Sequence, residues 1–191
     1  MSAKLPEGWE LLSSEYMHRE PWLTVRKDAL KLANGHVIPD YYVLEYPDWV
    51  NVVGVTKDER LLIISQYRHG IGKVSYEICA GVSEKGDGSP MESAKRELLE
   101  ETGYGGGEWQ EWTSMAPNSS TSNNWVHCYL ATGIEKVAEP ELEKSEDISV
   151  HLFTAEEVKE LMLRGDIIQA TQLTSLWKYM YMLEANKRAG N

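Results

Sequence analysis

The sequence predicts an α+β chain: an antiparallel β-segment at the N-terminus, then mixed strands and two or three helices of the kind that build an α/β/α sandwich. Three observations carry this expectation. The first ~48 residues hold long apolar arms around an Asn34-Gly35 pair, a strong two-residue turn signal. The middle of the chain alternates short apolar runs with polar turns, as strands do. Two later segments carry helix caps.

The elements follow in order. Trp22 to Leu32 leads into the Asn34-Gly35 turn and His36 to Tyr46 returns. Pro39 in the returning run lacks an N–H, which suits an edge strand. Trp49 to Thr56 and Arg60 to Tyr67 are strongly apolar and flank Lys57-Asp58-Glu59, which reads as a buried hairpin. Val74 to Ala80 reads as one further strand, followed by the Gly-rich loop from Gly81 to Gly88. Ser89-Pro90-Met91-Glu92 then combines an N-cap serine, proline at the first helical position and glutamate at the third, a capping-box pattern. Gly103 stands where that helix should end. Trp109 to Met115, Trp125 to Ala131 and Ile148 to Phe153 read as strands. Thr154 with Glu157 opens a second capped helix to about Leu163, and a last helix is expected from about Ala170 to Lys187. A boundary is expected after residue 48, separating a 1–48 β-segment from a 49–191 domain.

Composition narrows the class of function. The 191 residues are 42% hydrophobic and 26% charged, which fits a globular protein rather than a disordered one. No apolar run is long enough to cross a bilayer, and Met1 to Trp9 lacks the apolar stretch of a signal peptide, so a cytoplasmic protein is expected. The net charge of −11, without a Lys/Arg cluster, argues against a nucleic-acid partner. Cys79 and Cys128 sit in strand-like runs outside any CxxC pair, as buried free thiols do.

The chemistry is concentrated in Ala94 to Gly103, AKRELLEETG. Glu97 lies three residues before Glu100 and four before Glu101, so on a helix both are its neighbours. Like charges so placed cost a few tenths of a kcal/mol per pair, roughly, when solvated. The ordinary reading of such a run is a solvated acidic face, with Arg96 and Glu100 as an i,i+4 pair. The sharper reading is a divalent-cation site, since hard carboxylate oxygens suit Mg²⁺ and a bound cation offsets the repulsion.

Residues 80–104, AGVSEKGDGSPMESAKRELLEETGY, decide between the two readings, because they closely resemble the Nudix box. Arg96, Glu97, Leu98, Glu100, Glu101 and Gly103 fill its second half. In its first half the family keeps an acid separated from the Arg by seven residues; Gly88 stands at that spacing and Asp87 lies one residue earlier. From about Trp22 to Lys178, including LLIISQYRHG, YEICAG and LRGDI, the chain resembles the ADP-ribose/ADP-sugar pyrophosphatase branch. That resemblance implies a Nudix α/β/α sandwich with an N-terminal segment that completes a homodimer.

The same resemblance implies an activity: Mg²⁺-dependent hydrolysis (Mn²⁺ as a substitute) of the pyrophosphate bond in a nucleoside-diphosphate sugar. It makes the carboxylates of Glu97 and Glu101 the main metal ligands and so catalytic residues, with Glu100 as a third ligand and the Ala80 carbonyl completing the set. It points to Glu146, in the acidic loop PELEKSED, as the base that takes a proton from water, with Glu141 and Glu143 as rivals. It assigns Arg68 to the substrate's phosphates or ribose, against the plainer reading of an Arg paired with Glu77 or Glu45. Trp22 and Tyr41 are expected to face each other across the hairpin arms and hold the base, although any single aromatic has better odds of being core. Pro117 falls where ADP-ribose-cleaving relatives keep a proline, but the following NSSTSNN departs from their usual loop and leaves the distal group open. The alternatives are a non-catalytic nucleotide-sugar sensor on the same fold and a hydrolase of another nucleoside-diphosphate compound.

Overall fold

A computed structural model of the chain describes residues 5–189. Two compact units are present: Met1–Pro47 with Ala116–Asn124, and Asp48–Met115 with Trp125–Asn191. The segment 116–124 therefore groups with the N-terminal residues, which a single cut after residue 48 does not capture.

The first unit is a three-stranded antiparallel sheet in the order β1 (Glu10–Glu20), β2 (Leu23–Lys31), β3 (Val37–Glu45). The Asn34 side chain accepts the His36 N–H at 3.0 Å and fixes the β2–β3 turn. Pro39 lies on β3, an outer strand of this sheet, where a missing N–H is tolerated. The chain is bound back to 116–124 through Leu44 N–H to Thr121 O (2.7 Å) and the Tyr41 hydroxyl to Ser120 O (2.7 Å). β1 had no turn signal as clear as Asn-Gly; its turn is made at Pro21-Trp22, where Trp22 takes a positive φ of 65°.

The second unit is built on a mixed sheet. β4 (Trp49–Thr56) pairs antiparallel with β5 (Leu61–Arg68) and parallel with β10 (Val126–Lys136). β11 (Ser149–Phe153) adds to β5, while β8 (Tyr104–Gly105) and β9 (Glu108–Met115) add to β10. The run expected as one strand over 74–80 is divided. β6 (Lys73–Glu77) pairs with β5 and β7 (Cys79–Val82) with β4. Between them the Ile78 N–H leaves both ladders and donates to Gln172 Oε1 at 3.1 Å.

Side-chain alternation on the strands sorts the core into two layers. Val50, Val52, Leu62, Cys79, Tyr129 and Ala131 pack with Ala94 and Leu98 of α1 (Pro90–Thr102). Val53, Val55, Leu61, Ile63, Cys128 and Leu130 face the other way, onto α2 (Ala155–Arg164) and α3 (Ala170–Ala189). The sheet thus lies between helices on both faces, the expected α/β/α sandwich. Both N-caps are present: the Ser89 hydroxyl accepts the Glu92 N–H at 3.3 Å, and Thr154 and Glu157 form a reciprocal capping box. At α1 the box is not reciprocal, because the Glu92 carboxylate pairs with Lys95 at 2.8 Å. Among the described residues no helix is long and apolar enough to cross a membrane.

Candidate active site

The site is assembled where β7 runs past α1. Leu98 is fully buried and fixes the helix rotation, which turns Glu97 and Glu101 toward the strand. Glu97 accepts the Val82 N–H at 3.2 Å and Glu101 accepts the Ala80 N–H at 3.3 Å. Gly81 lies between these two strand residues and makes the approach possible. A Cβ built there would stand 2.0 Å from Glu97 Cδ and 2.2 and 2.4 Å from its carboxylate oxygens.

Arg96 organises the outer half. Its Nη2 donates to Glu97 at 3.0 Å and to the Val82 carbonyl at 3.2 Å, and its Nη1 donates to Glu100 at 2.8 Å. Nε and Nη2 also reach Asp87 at 3.1 to 3.3 Å. Asp87 therefore makes the pairing with the box arginine despite the one-residue displacement in spacing. The left-handed backbone at Gly88, φ 82°, takes up the extra residue of the loop. The Arg96 hydrogen bonds hold the Asp87 carboxyl below its ordinary range.

Glu101 is 4% exposed, and burial pushes its carboxyl up to about 8. The hydrogen bonds it accepts come from neutral donors, the Cys79 thiol and the Ala80 amide, while the Glu97 charge raises it further. Glu97 is raised also, by burial first, and Arg96 opposes that rise. Burial pushes the Cys79 thiol well above its usual value, so it is no nucleophile.

The expected cluster of three converging carboxylates is not gathered: among the described residues no group of three His, Cys, Asp or Glu side chains is placed to hold an ion. Glu100 turns to Arg96 instead, because an i,i+4 guanidinium is the nearer partner. The donor set nevertheless fits a divalent cation at Glu97 and Glu101. Both are hard oxygen ligands on a rigid helix, one sits in a cradle that a Cβ would fill, and the other is buried without a cationic hydrogen-bond partner. A cation held there supplies a Lewis acid for a phosphoryl oxygen.

The remaining candidates divide between the units. Arg68, at the end of β5, pairs with Glu77, as the plainer reading had it; the charges of Glu101 and Glu146 act on it as well. Glu146 bends its carboxylate back to the Glu143 N–H at 2.8 Å within the 140–147 loop, and its charge acts on Glu101 and Cys79. Pro117, Trp22 and Tyr41 belong to the first unit. Trp22 and Tyr41 do not face each other: β2–β3 register sets Asp28 opposite Tyr41 and Thr24 opposite Glu45, and Trp22 lies beyond the paired residues in the preceding turn. Trp22 stands thirteen residues before Gly35 and Tyr41 only six after it, so Asp28 and not Trp22 falls opposite Tyr41. Gln172 is not singled out by the sequence, and Cys79 is read there only as a buried thiol, not as a donor to Glu101. Nothing in their spacing marks them, since each reaches its partner only through the fold.

Compared with known families, residues 45–174 match the NUDIX domain. The chain belongs to the Nudix family. Residues 9–44 match the nucleoside diphosphate sugar hydrolase N-terminal domain. The chain is 28% identical over 169 residues to an ADP-ribose pyrophosphatase of Mycobacterium tuberculosis, covering 88% of this chain and 81% of the relative. It is 30% identical over 162 residues to a methanol dehydrogenase activator of Bacillus methanolicus, covering 84% and 85%. A crystal structure of an ADP compounds hydrolase superposes with a TM-score of 0.83 at 21% identity, over 97% of this chain and all of that one, and shares its fold. Nudix hydrolases in general use divalent metal ions, and this chain is a Nudix pyrophosphohydrolase.

Proposed function

We propose that the protein hydrolyses the pyrophosphate bond of a nucleoside-diphosphate sugar, ADP-ribose or an ADP-sugar, to a nucleoside monophosphate and a sugar phosphate. The observation that carries this reading is the pair of carboxylates on one helix face, buried Glu101 and half-buried Glu97, the latter set against Gly81, with a cationic Arg68 and a loop Glu146 whose charges act on Glu101. Mg²⁺, with Mn²⁺ as substitute, is the proposed metal, held by Glu97 and Glu101 with the Ala80 carbonyl, and by Glu100 only if it exchanges its Arg96 partner for the ion. Of the three loop glutamates, Glu146 is the proposed base, because its charge is felt at Glu101. Arg68 grips phosphoryl oxygens, and Pro117 belongs to the loop that meets the distal sugar. Trp22, 73% exposed, offers a ring for stacking on the purine, whereas the Tyr41 hydroxyl is engaged by Ser120. The substrate class accords with the N-terminal match and with the named activity of the mycobacterial relative. One relative is named as an activator of another enzyme, which makes a partner-protein role the second reading.

The test is a panel of nucleoside-diphosphate sugars with products identified by mass. ADP-ribose with Mg²⁺ should give AMP and ribose 5-phosphate, a strong chelator should abolish turnover, and Trp22→Ala should raise KM roughly tenfold with kcat much less affected. Full activity in chelator, or no hydrolysis of any member of the panel, would refute the reading.

Assembly is proposed from the first unit. Every residue of β1 is exposed, among them Leu11, Leu12, Tyr16 and Met17. Exposed apolar strands at a sheet edge are a hazard unless covered. A homodimer covering this face is the expected form, acting in the cytoplasm, where buried free cysteines such as Cys79 and Cys128 stay reduced. Light scattering at micromolar concentration should give twice the chain mass; a stable monomer overturns the assignment.

A further inference from the structure

Arg68 is gripped side-on by Glu77. Nε donates to Oε1 at 2.8 Å and Nη2 to Oε2 at 2.5 Å. The two partners differ in their surroundings: the Glu77 side chain is 1% exposed and that of Arg68 42%. Glu77 is held in turn by Gln172 of α3, whose Nε2 donates to Oε2 at 3.3 Å while its Oε1 accepts the Ile78 N–H at 3.1 Å. Gln172 is wholly buried. One carboxylate and one amide have therefore been taken out of water beneath a single arginine.

Stability alone does not call for this arrangement. Burying the Glu77 carboxylate carries a desolvation cost that its pairing with a half-exposed arginine only about offsets, and an apolar residue of similar volume often serves a core as well. What the pair does provide is a fixed guanidinium. The side-on grip uses two of the five N–H donors and leaves the rest of the planar fork open. Arg68 as a whole lies within the electrostatic reach of Glu101 and Glu146.

We infer that Glu77 and Gln172 are positioning residues that hold Arg68 as a half-open fork for an oxygen of the substrate diphosphate. The inference rests on the pyrophosphatase reading given above. The two hydrogen bonds to Glu77 hold the long side chain in one conformation, so substrate binding does not have to order it. Gln172 ties Glu77 to the β6–β7 break, and so fixes Arg68 relative to the strand that carries Ala80 and Gly81.

The experiment measures KM, kcat and melting temperature for Glu77→Gln, Arg68→Lys, Gln172→Met and the double variant of Glu77 and Arg68, with ADP-ribose as substrate. Glu77→Gln keeps the shape and one acceptor oxygen, shared by Gln172 and Arg68, but removes the charge and the second acceptor, so the side-on grip on the guanidinium is broken. It should raise KM about tenfold while kcat moves far less, as expected for lost pre-organisation of a binding group. Arg68→Lys keeps the charge and removes the fork, and should raise KM at least as much. In the double variant KM should match Arg68→Lys alone, because Glu77 acts only through Arg68. If Glu77→Gln does not fold, Arg68→Lys together with a smaller KM rise in Gln172→Met carries the test. Folded variants with unchanged KM, or effects that multiply in the double variant, overturn the inference. A wild-type protein that hydrolyses no nucleoside-diphosphate sugar is a different result: it removes the functional reading and this inference with it.

Discussion

Replacing Glu101 by glutamine should lower kcat by at least about a thousandfold and, in the same molecule, raise the melting temperature of the metal-free protein. The first effect follows from removing a charged oxygen ligand from a phosphoryl-transfer site. The second follows from burial. Glu101 is 4% exposed and accepts hydrogen bonds from neutral donors, so its carboxyl stands at about 8 in the fold against 4.5 in the open chain. Below pH 4.5 both states are protonated and no penalty applies. Between pH 4.5 and 8 the unfolded chain ionises while the fold keeps its proton, so stability falls as pH rises, and above 8 the loss is complete. The ceiling on that loss is of the order of 5 kcal/mol, from 1.36 kcal/mol per unit. Glutamine keeps an oxygen for the Ala80 N–H and carries no charge. In chelator at pH 8 the variant should therefore melt higher than wild type by about 5 °C or more, since 1 kcal/mol is worth roughly 2–4 °C at this size. At pH 5 the difference should nearly vanish. A divalent ion should raise the melting temperature of the wild type and not that of the variant. A variant that is less stable than wild type in chelator at pH 8 would show that Glu101 is held for structure rather than for a cation.

Much of this site could be read before any coordinates, and the parts that could not share a cause. Ser89, Pro90 and Gly103 bracket α1 through local backbone chemistry, so its span was legible to the residue. The i,i+3 and i,i+4 spacing of Glu97, Glu100 and Glu101 follows from helix geometry alone. Which of them turns inward does not: Leu98 settles the rotation, and Arg96 then draws Glu100 outward. The pairing of Asp87 with Arg96 was obscured by a loop one residue longer, because a left-handed glycine changes where a chain points without changing its composition. Strand register was legible in part. Placing Trp22 opposite Tyr41 ignores that they stand thirteen and six residues from Gly35: equal counting outward from Asn34-Gly35 sets Asp28 opposite Tyr41, as observed, although a register shift intervenes between Asp28 and Leu30, and Trp22 falls in the turn before the strand. Contacts made across 95 positions, as between Glu77 and Gln172, leave no local trace at all.

Gly81→Ala should disable the enzyme without unfolding it. The new methyl carbon would stand 2.0 to 2.4 Å from the carboxylate of Glu97, far inside any contact distance, so one of the two must move. Gly81 is fixed by its place in β7, which pairs with β4 through Val50. The side chain of Glu97 is the softer element, held by the Val82 N–H and by Arg96. It should therefore swing away, and that release from burial relieves the penalty that raises its pKa, so stability should change little. Catalysis should fall by two orders of magnitude or more, because an ångström of misplacement at a reacting centre costs about a hundredfold. The decisive comparison is the double variant. If alanine acts only by displacing Glu97, then Gly81→Ala with Glu97→Gln should be no slower than Glu97→Gln alone. A multiplicative loss would mean that the methyl group obstructs the substrate itself, and a Gly81→Ala enzyme with wild-type kcat would show that Glu97 need not lie against the strand for the reaction to proceed.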